Sequence, residues 1–271
     1  MHKTNLFRTL QLLVLSLSCG ALSVGATPLT LGGTGSALGT MKALAAAYQK
    51  AQPGTEILIV PALGSGGGIK AVAAGALSIG LSGRALTPAE TAQNLTQTEL
   101  ARTPLVFAST KSHPGFSLSQ IVRIYDGTLS RWPDGSPLRL ILRPESDSET
   151  IVLRALSPEM SRAVSTAQAR PGLYTALTDP DMADALEKVP GSIGSTTLAL
   201  IVSEQRRLKP IPLNKVAPSV AALVSGAYPY AKPLYLVTAP GVSRAALDFI
   251  AFLKSPPGAV ILARNGYLTL K

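Results

Sequence analysis

The chain has 271 residues, 46% of them hydrophobic, with one cysteine and a formal net charge of +10. That length and apolar content can fill one large core or two medium ones. The aromatics are few at 5%, and the basic residues are scattered (Lys42, Lys50, Lys70, Arg84, Arg102, Lys111). This spread argues against a nucleic-acid partner and for a field that gathers small anions.

Residues 1–26 read as a secretory signal peptide. Lys3 and Arg8 give a basic start, Leu10 to Val24 is apolar and uncharged, and Val24-Gly25-Ala26 offers small residues at the cleavage positions. The apolar core is too short for a membrane span. The protein is therefore expected in the periplasm or secreted. Cys19 raises a lipid anchor, but Ser16-Leu17-Ser18 fits such a cleavage site poorly. Cleavage near Ala26 removes the only cysteine and leaves no disulfide. Lys3 and Arg8, two of the ten net charges, leave with the peptide.

Beyond it, strand-like and helix-like runs alternate. Leu29–Leu31 reads as a strand, Gly32-Gly33-Thr34-Gly35-Ser36 as a turn, and Leu38–Lys50 as a helix. Glu56–Pro61 is a strand, Gly64-Ser65-Gly66-Gly67-Gly68 a turn, and Ile69–Ala74 a helix. A glycine turn opening a helix points free backbone N–H groups at one spot, and the helix dipole adds positive potential there. A β-branched residue at Gly66 or Gly67 is expected to block a ligand's approach. Ser78–Ser82 and Pro104–Ala108 read as strands, and Leu118–Tyr125 as a helix. Strand Leu138–Leu142 leads through a polar turn, Arg143 to Asp147, into helix Ser148–Leu156. Helix Pro180–Glu187 precedes Pro190-Gly191-Ser192-Ile193-Gly194-Ser195-Thr196, read as another donor-rich turn. Lys209–Pro212 and Leu234–Thr238 are strands; Ser219–Ser225, Ser243–Lys254 and Pro257–Arg264 are helices. Such interleaving means an α/β protein with mostly parallel sheets flanked by helices.

Enzymatic readings lack parts. After residue 26 the one histidine is His113, in a Lys-Ser-His-Pro loop without an evident partner, so a Ser-His-Asp triad is not expected. Gly80-Leu81-Ser82-Gly83 is not a nucleophile elbow. One histidine without cysteine makes no ordinary zinc site. The glycine run lacks the Gly-Lys-Ser/Thr ending of a nucleotide loop. No metal and no cofactor are expected.

The order of several segments resembles a known family. Gly64-Ser65-Gly66-Gly67-Gly68-Ile69-Lys70-Ala71 followed by Ile79-Gly80-Leu81-Ser82-Gly83-Arg84, then Ile124-Tyr125-Asp126-Gly127 with Trp132, then Gly191-Ser192-Ile193-Gly194 and Tyr228-Pro229-Tyr230-Ala231-Lys232-Pro233-Leu234-Tyr235, are similar to the phosphate-binding periplasmic proteins of ABC transporters. The resemblance spans nearly the whole chain after residue 26. It implies a type 2 two-lobe periplasmic-binding-protein fold, with lobe 1 from 27–107 plus 226–271, lobe 2 from 108–225, and a hinge between them. It implies a monomer that holds a small oxyanion, phosphate foremost, and passes it to an ABC permease. A sensor with the same fold is the alternative, with a secreted hydrolase behind it.

The ligand residues implied are Ser36 and Ala37 in the first turn, Ser65 and Gly66 in the second, and Ser82 at the next strand end. In lobe 2 they are Arg143, Ser148, Glu149 and Thr150. Arg143 stands for the family's anion-pairing arginine, and its loss is expected to weaken binding with the fold intact. Two departures bear on which anion is bound. The family's phosphate-accepting aspartate falls near Gly83, where no acid stands, and Glu149 replaces the glycine of Ser-Gly-Thr. Asp147 or Glu149 is expected to supply the missing acceptor. Trp132, Tyr228 and Tyr230 are expected to pack rather than bind, and Arg84 to face solvent.

Overall fold

The computed structural model describes residues 28–270, so the proposed signal peptide and Cys19 lie outside the described residues. The strands are β1 (Leu29–Gly33), β2 (Ile57–Ile59), β3 (Ile79–Ser82), β4 (Thr96–Ser109), β5 (Arg139–Leu142), β6 (Tyr174–Thr175), β7 (Ser192–Thr197), β8 (Lys209–Ile211), β9 (Ala231–Thr238) and β10 (Leu268–Thr269). The helices are α1 (Leu38–Ala51), α2 (Gly64–Ala73), α3 (Pro88–Thr91), α4 (Leu118–Asp126), α5 (Ser148–Arg154), α6 (Pro158–Ala169), α7 (Asp179–Lys188), α8 (Leu198–Ser203), α9 (Val220–Val224), α10 (Arg244–Lys254) and α11 (Pro256–Arg264). The strands lie in the order β2-β1-β3-β9-β4-β7-β5-β6, with β8 and β10 also paired to β4. Pairing is parallel at both ends, β2-β1-β3 and β7-β5-β6, and antiparallel around β9 and β4.

Strand β4 is the backbone of this arrangement. Its first part pairs with β9 from Thr96 opposite Thr238 to Pro104 opposite Ala231. Its second part pairs with β7 from Leu105 opposite Thr197 to Ala108 opposite Gly194. The hydrophobic clusters change at the same place. Leu100 and Ala101 pack with Leu31, Met41, Ile79, Leu236 and Phe249 in one core. Leu105 and Phe107 pack with Ile124, Leu140, Met160 and Tyr228 in a second. Val106 and Ala108, pointing to the other face as strand alternation requires, join Ile141, Met182 and Leu186. Two bodies thus share one strand. Trp132 and Tyr228 are buried in the second core, and Tyr230 packs against it. Tyr228 donates to the Leu105 carbonyl at 2.7 Å, beside the crossing point.

Two expectations about turns are corrected. The glycine run is the first turns of α2, which begins at Gly64 rather than Ile69. A Cβ on Gly68 would lie 2.6 Å from the Gly33 Cα and 2.9 Å from the Gly32 carbonyl oxygen. Helix α2 therefore packs backbone to backbone on β1, and glycine is required for that approach. The stretch after Gly191 is not a turn either: Ser192–Thr197 is buried strand β7, between β4 and β5. Its small residues serve packing. A Cβ on Gly194 would lie 3.0 Å from the Met182 sulfur, and the Ser192 hydroxyl donates to the Leu186 carbonyl at 2.9 Å.

Candidate functional site

Five chain segments bring polar side chains to one buried place between the cores. The first is the link from β1 to α1, a single 3₁₀ turn over Gly35–Ala37. Thr34 and Ser36 are buried there with their hydroxyls 3.0 Å apart. The second is the start of α2, whose Ser65 hydroxyl accepts from the Gly83 N–H just past β3 at 2.8 Å. The third is the link from β5 to α5, bearing Arg143, Asp147, Ser148, Glu149 and Thr150. The fourth is Asp179, first residue of α7, set behind its N-cap Thr178. The fifth is Lys232, near the start of β9.

Charge holds this place together. Arg143 donates to the Asp147 carboxylate at 2.7 Å and to the Ala176 carbonyl at 2.9 Å, and lies 3.8 Å from Asp179. Lys232 donates to Asp179 at 3.1 Å and lies 3.3 Å from Glu149. The four residues Arg143, Glu149, Asp179 and Lys232 are each 2% exposed or less. Asp147 is committed twice: one oxygen faces Arg143, and the other caps α5 by accepting the Glu149 N–H at 2.9 Å. Two cations thus face three carboxylates. Buried ion pairs of this kind persist only when mutually compensated.

The titrations follow from these contacts. Burial by itself raises an acid, and it wins at Glu149, which is pushed above the ordinary carboxylate range although Lys232 and Arg143 pull it down. Burial would also raise Asp179, but Lys232 and Arg143 outweigh it and hold that carboxyl low. Burial would lower Lys232, yet Asp179 and Glu149 hold its ammonium charged well above the usual lysine range.

Three polar atoms in this cluster are fully buried without a hydrogen-bond partner among the described residues: Arg143 Nε, Ser148 Oγ and Glu149 Oε1. They comprise a cationic donor, a hydroxyl and an acceptor. Unpaired buried groups are costly, so a native cluster of them points to a ligand or a function.

The structure distributes the expected ligand residues unevenly. Ser65, Arg143, Ser148 and Glu149 meet in the cluster, and Ser36 meets it through Thr34, whose hydroxyl lies 3.0 Å from the Ser36 hydroxyl and 3.4 Å from Asp179. Thr150 serves the turn, its hydroxyl 3.5 Å from the Arg143 carbonyl. Ser82 closes its own turn, donating to the Arg84 carbonyl at 2.7 Å. Ala37 packs in the first core. Gly66 faces Arg84 instead: a Cβ there would find its first neighbour, an Arg84 nitrogen, at 3.9 Å. Sequence reasoning missed Thr34, Asp179 and Lys232. The signal for Lys232 was a lysine alternating into the buried face of an apolar strand. Asp179 was hidden because the helix was started one residue late, at Pro180. The missing acid at position 83 now has a steric reason: a Cβ on Gly83 would lie 2.6 Å from Lys232 Cε and 2.8 Å from Ser148 Oγ. Lysine fills that space.

Arg84 is not free in solvent. It binds Glu90 through two bonds of 2.8 Å, outside the cluster. Glu90 also completes the capping box of α3 with Thr87, and its carboxyl is held near 2, first by Arg84. Glu90→Ala is expected to cost about 1–2 kcal/mol in urea unfolding, since it removes both the pair and half the cap. A depressed acid stabilises above its unfolded pKa. The wild-type advantage therefore holds at neutral pH and fades as pH falls from 4.5 toward 2. An unchanged unfolding midpoint at pH 7 would show the pair to be idle.

Comparison with known proteins places this arrangement in a family. The family model of the PBP superfamily domain matches residues 21–257. The chain belongs to this superfamily of periplasmic binding proteins, with its α/β two-lobe fold. A Clostridium perfringens substrate-binding protein assigned to phosphate ABC transport and solved with bound phosphate is 19% identical, covering 90% of this chain and all of its own, with a TM-score of 0.78. An ABC-type phosphate transport receptor from Vibrio cholerae is 22% identical over 89% of this chain and all of its own, with a TM-score of 0.65. The periplasmic molybdate-binding protein of Azotobacter vinelandii is 16% identical over 90% of this chain and all of its own, with a TM-score of 0.64. A search of curated proteins finds no match.

Proposed function

We propose that this chain is an exported, monomeric solute-binding protein that captures a small oxyanion, phosphate foremost, between its lobes and delivers it to an ABC permease. The observation that carries the proposal is the buried convergence of Arg143 and Lys232 with the unpartnered Arg143 Nε and Ser148 Oγ. Both donors suit an oxyanion. Membership of the superfamily and structural likeness to phosphate- and molybdate-binding proteins support the same reading. The lobe boundary we propose falls near Pro104 and Ala231, where β4 changes partner. Residues 105–107 and 226–230 then go to lobe 2. A micromolar ligand needs about −8 kcal/mol, and charge-assisted hydrogen bonds contribute about 1.5–3 kcal/mol each. Several donors suffice without a metal. Isothermal titration with phosphate, sulfate, molybdate and tungstate tests the proposal; binding of none of the four rules it out.

Glu149 would select among these anions. Asp147 has both oxygens committed, so the free acceptor is Glu149 Oε1. An ionised Glu149 accepts from the hydroxyl of hydrogen phosphate and repels sulfate, which carries no proton at neutral pH. The sign of the pH effect follows. Rejection of sulfate is present above the Glu149 pKa and lost below it, and that pKa is raised from 4.5. Lys232, Asp179, Arg143, Asp147 and Tyr125 face this carboxyl and set where the loss falls. Sulfate is expected to compete with phosphate increasingly as pH falls through that raised pKa. Glu149→Gln is expected to let sulfate compete about tenfold better at a pH above the Glu149 pKa, the scale of one buried hydrogen bond. If sulfate competes equally against both proteins, Glu149 is not the selector.

A further inference from the structure

We infer that Asp179 is a tethered anion, occupying the donors that would hold the solute and latching the two lobes together until an oxyanion displaces it. The inference rests on the function proposed above. The Asp179 carboxylate accepts from Thr34 Oγ1 at 3.4 Å and from Lys232 Nζ at 3.1 Å, with Arg143 at 3.8 Å. Those partners come from the link after β1, from β9 and from the link after β5, on both sides of the cleft. They comprise a hydroxyl and two cations, donor types an oxyanion needs. Asp179 itself is delivered by α7, whose N-terminus docks tightly on the β1 turn. A Cβ on Gly35 would lie 2.6 Å from Pro180 Cδ and 3.1 Å from Asp179 Cβ.

Charge makes the displacement necessary. Asp147, Glu149 and Asp179 already outnumber Arg143 and Lys232 in a place closed to water. A dianion added beside them would face a surplus of negative charge at low dielectric. Asp147 cannot leave without uncapping α5, and Glu149 sits within α5. Asp179 can leave as a unit with α7 when the lobes part. Capture is then an exchange of one anion for another. The exchange weakens apparent affinity by the population of the latched form and closes the protein on itself when solute is scarce.

The alternative role is that of a fixed acceptor for the ligand's hydroxyl, and the two roles predict opposite signs. Asp179→Asn keeps the side-chain shape and removes the charge. Under the latch it is expected to bind inorganic phosphate about tenfold more tightly than wild type in isothermal titration. Small-angle scattering without phosphate is expected to give a larger radius of gyration for the variant, contracting when phosphate is added. Thr34→Val, which removes one donor of the latch from the opposite lobe, is expected to enlarge the phosphate-free radius by less. Equal or weaker phosphate affinity in Asp179→Asn, with the wild-type radius, overturns the latch and leaves the proposed function standing. If neither protein binds phosphate, sulfate, molybdate or tungstate, the proposed function fails, and scattering alone decides the latch: expansion of Asp179→Asn upholds it, and an unchanged radius overturns it. A thermal melt of each variant confirms that both are folded.

Discussion

Arg143→Ala is expected to weaken oxyanion binding at least tenfold and to destabilise the protein by about 3–5 kcal/mol. The binding loss follows from removing a cationic donor whose Nε has no other partner. The stability loss follows from what remains. Asp147 loses its 2.7 Å partner and Asp179 its neighbouring cation, while Ala176 loses a donor at 2.9 Å. A buried charge left uncompensated costs about that much. The sequence alone suggested a variant with an intact fold. Burial and the Asp147 bond correct that expectation, because the side chain that would bind the solute also holds the β5–α5 turn. Arg143→Lys is expected to rescue stability only in part, since an ammonium cannot serve Asp147 and the Ala176 carbonyl in the same planar fork. Urea unfolding and phosphate titration on the same samples read both effects. Normal affinity in a folded Arg143→Ala protein would move the site elsewhere.

Gly68→Val is expected to cost about 3 kcal/mol, whereas Gly66→Ala is expected to gain about 0.5–1 kcal/mol. Position 68 has no room, because its absent Cβ would sit 2.6 Å from one backbone atom and 2.9 Å from another on β1. Backbone cannot rotate away as a side chain can, so α2 itself must shift, and overpacking of this kind costs on that order. Position 66 is helical, with open space to 3.9 Å. There alanine only narrows the unfolded ensemble and improves helix propensity. Thermal or urea unfolding of the pair checks the contrast. Equal stabilities would mean that α2 is loosely seated. Binding by Gly66→Ala should survive, against the expectation that the run itself forms the ligand turn.

Much of the fold was written locally. Apolar β-branched runs and helix formers marked β1, β2, β3, β5, β9 and helices α1, α4, α7, α10 and α11, though not α6, because period and propensity act over a few residues. The signals that failed were those that tertiary contact overrides. Thr96 to Thr103 is polar and gave no strand pattern, yet β9 and β10 hold it as the first part of β4. The Gly-Ser-Thr stretch after Pro190 has turn composition, yet β4 and β5 flank it and make it a buried strand.

The division at the site is sharper. Sequence by itself determined the alternating α/β class, the family order of its motifs and the turn that carries Arg143 into the start of α5 at Ser148. Each of these rests on neighbours in the chain. Only the tertiary structure decided that Lys232 and Asp179 stand in the same cleft, 53 residues apart in sequence and 3.1 Å apart in space. It alone decided that Lys232 fills the space an acid at position 83 would need, and that Asp147 is spent on Arg143 and the α5 cap. A charge's meaning depends on what is buried beside it, since a carboxylate paired in a dry cleft and one in water differ by several kcal/mol. Chain order carries no record of that pairing.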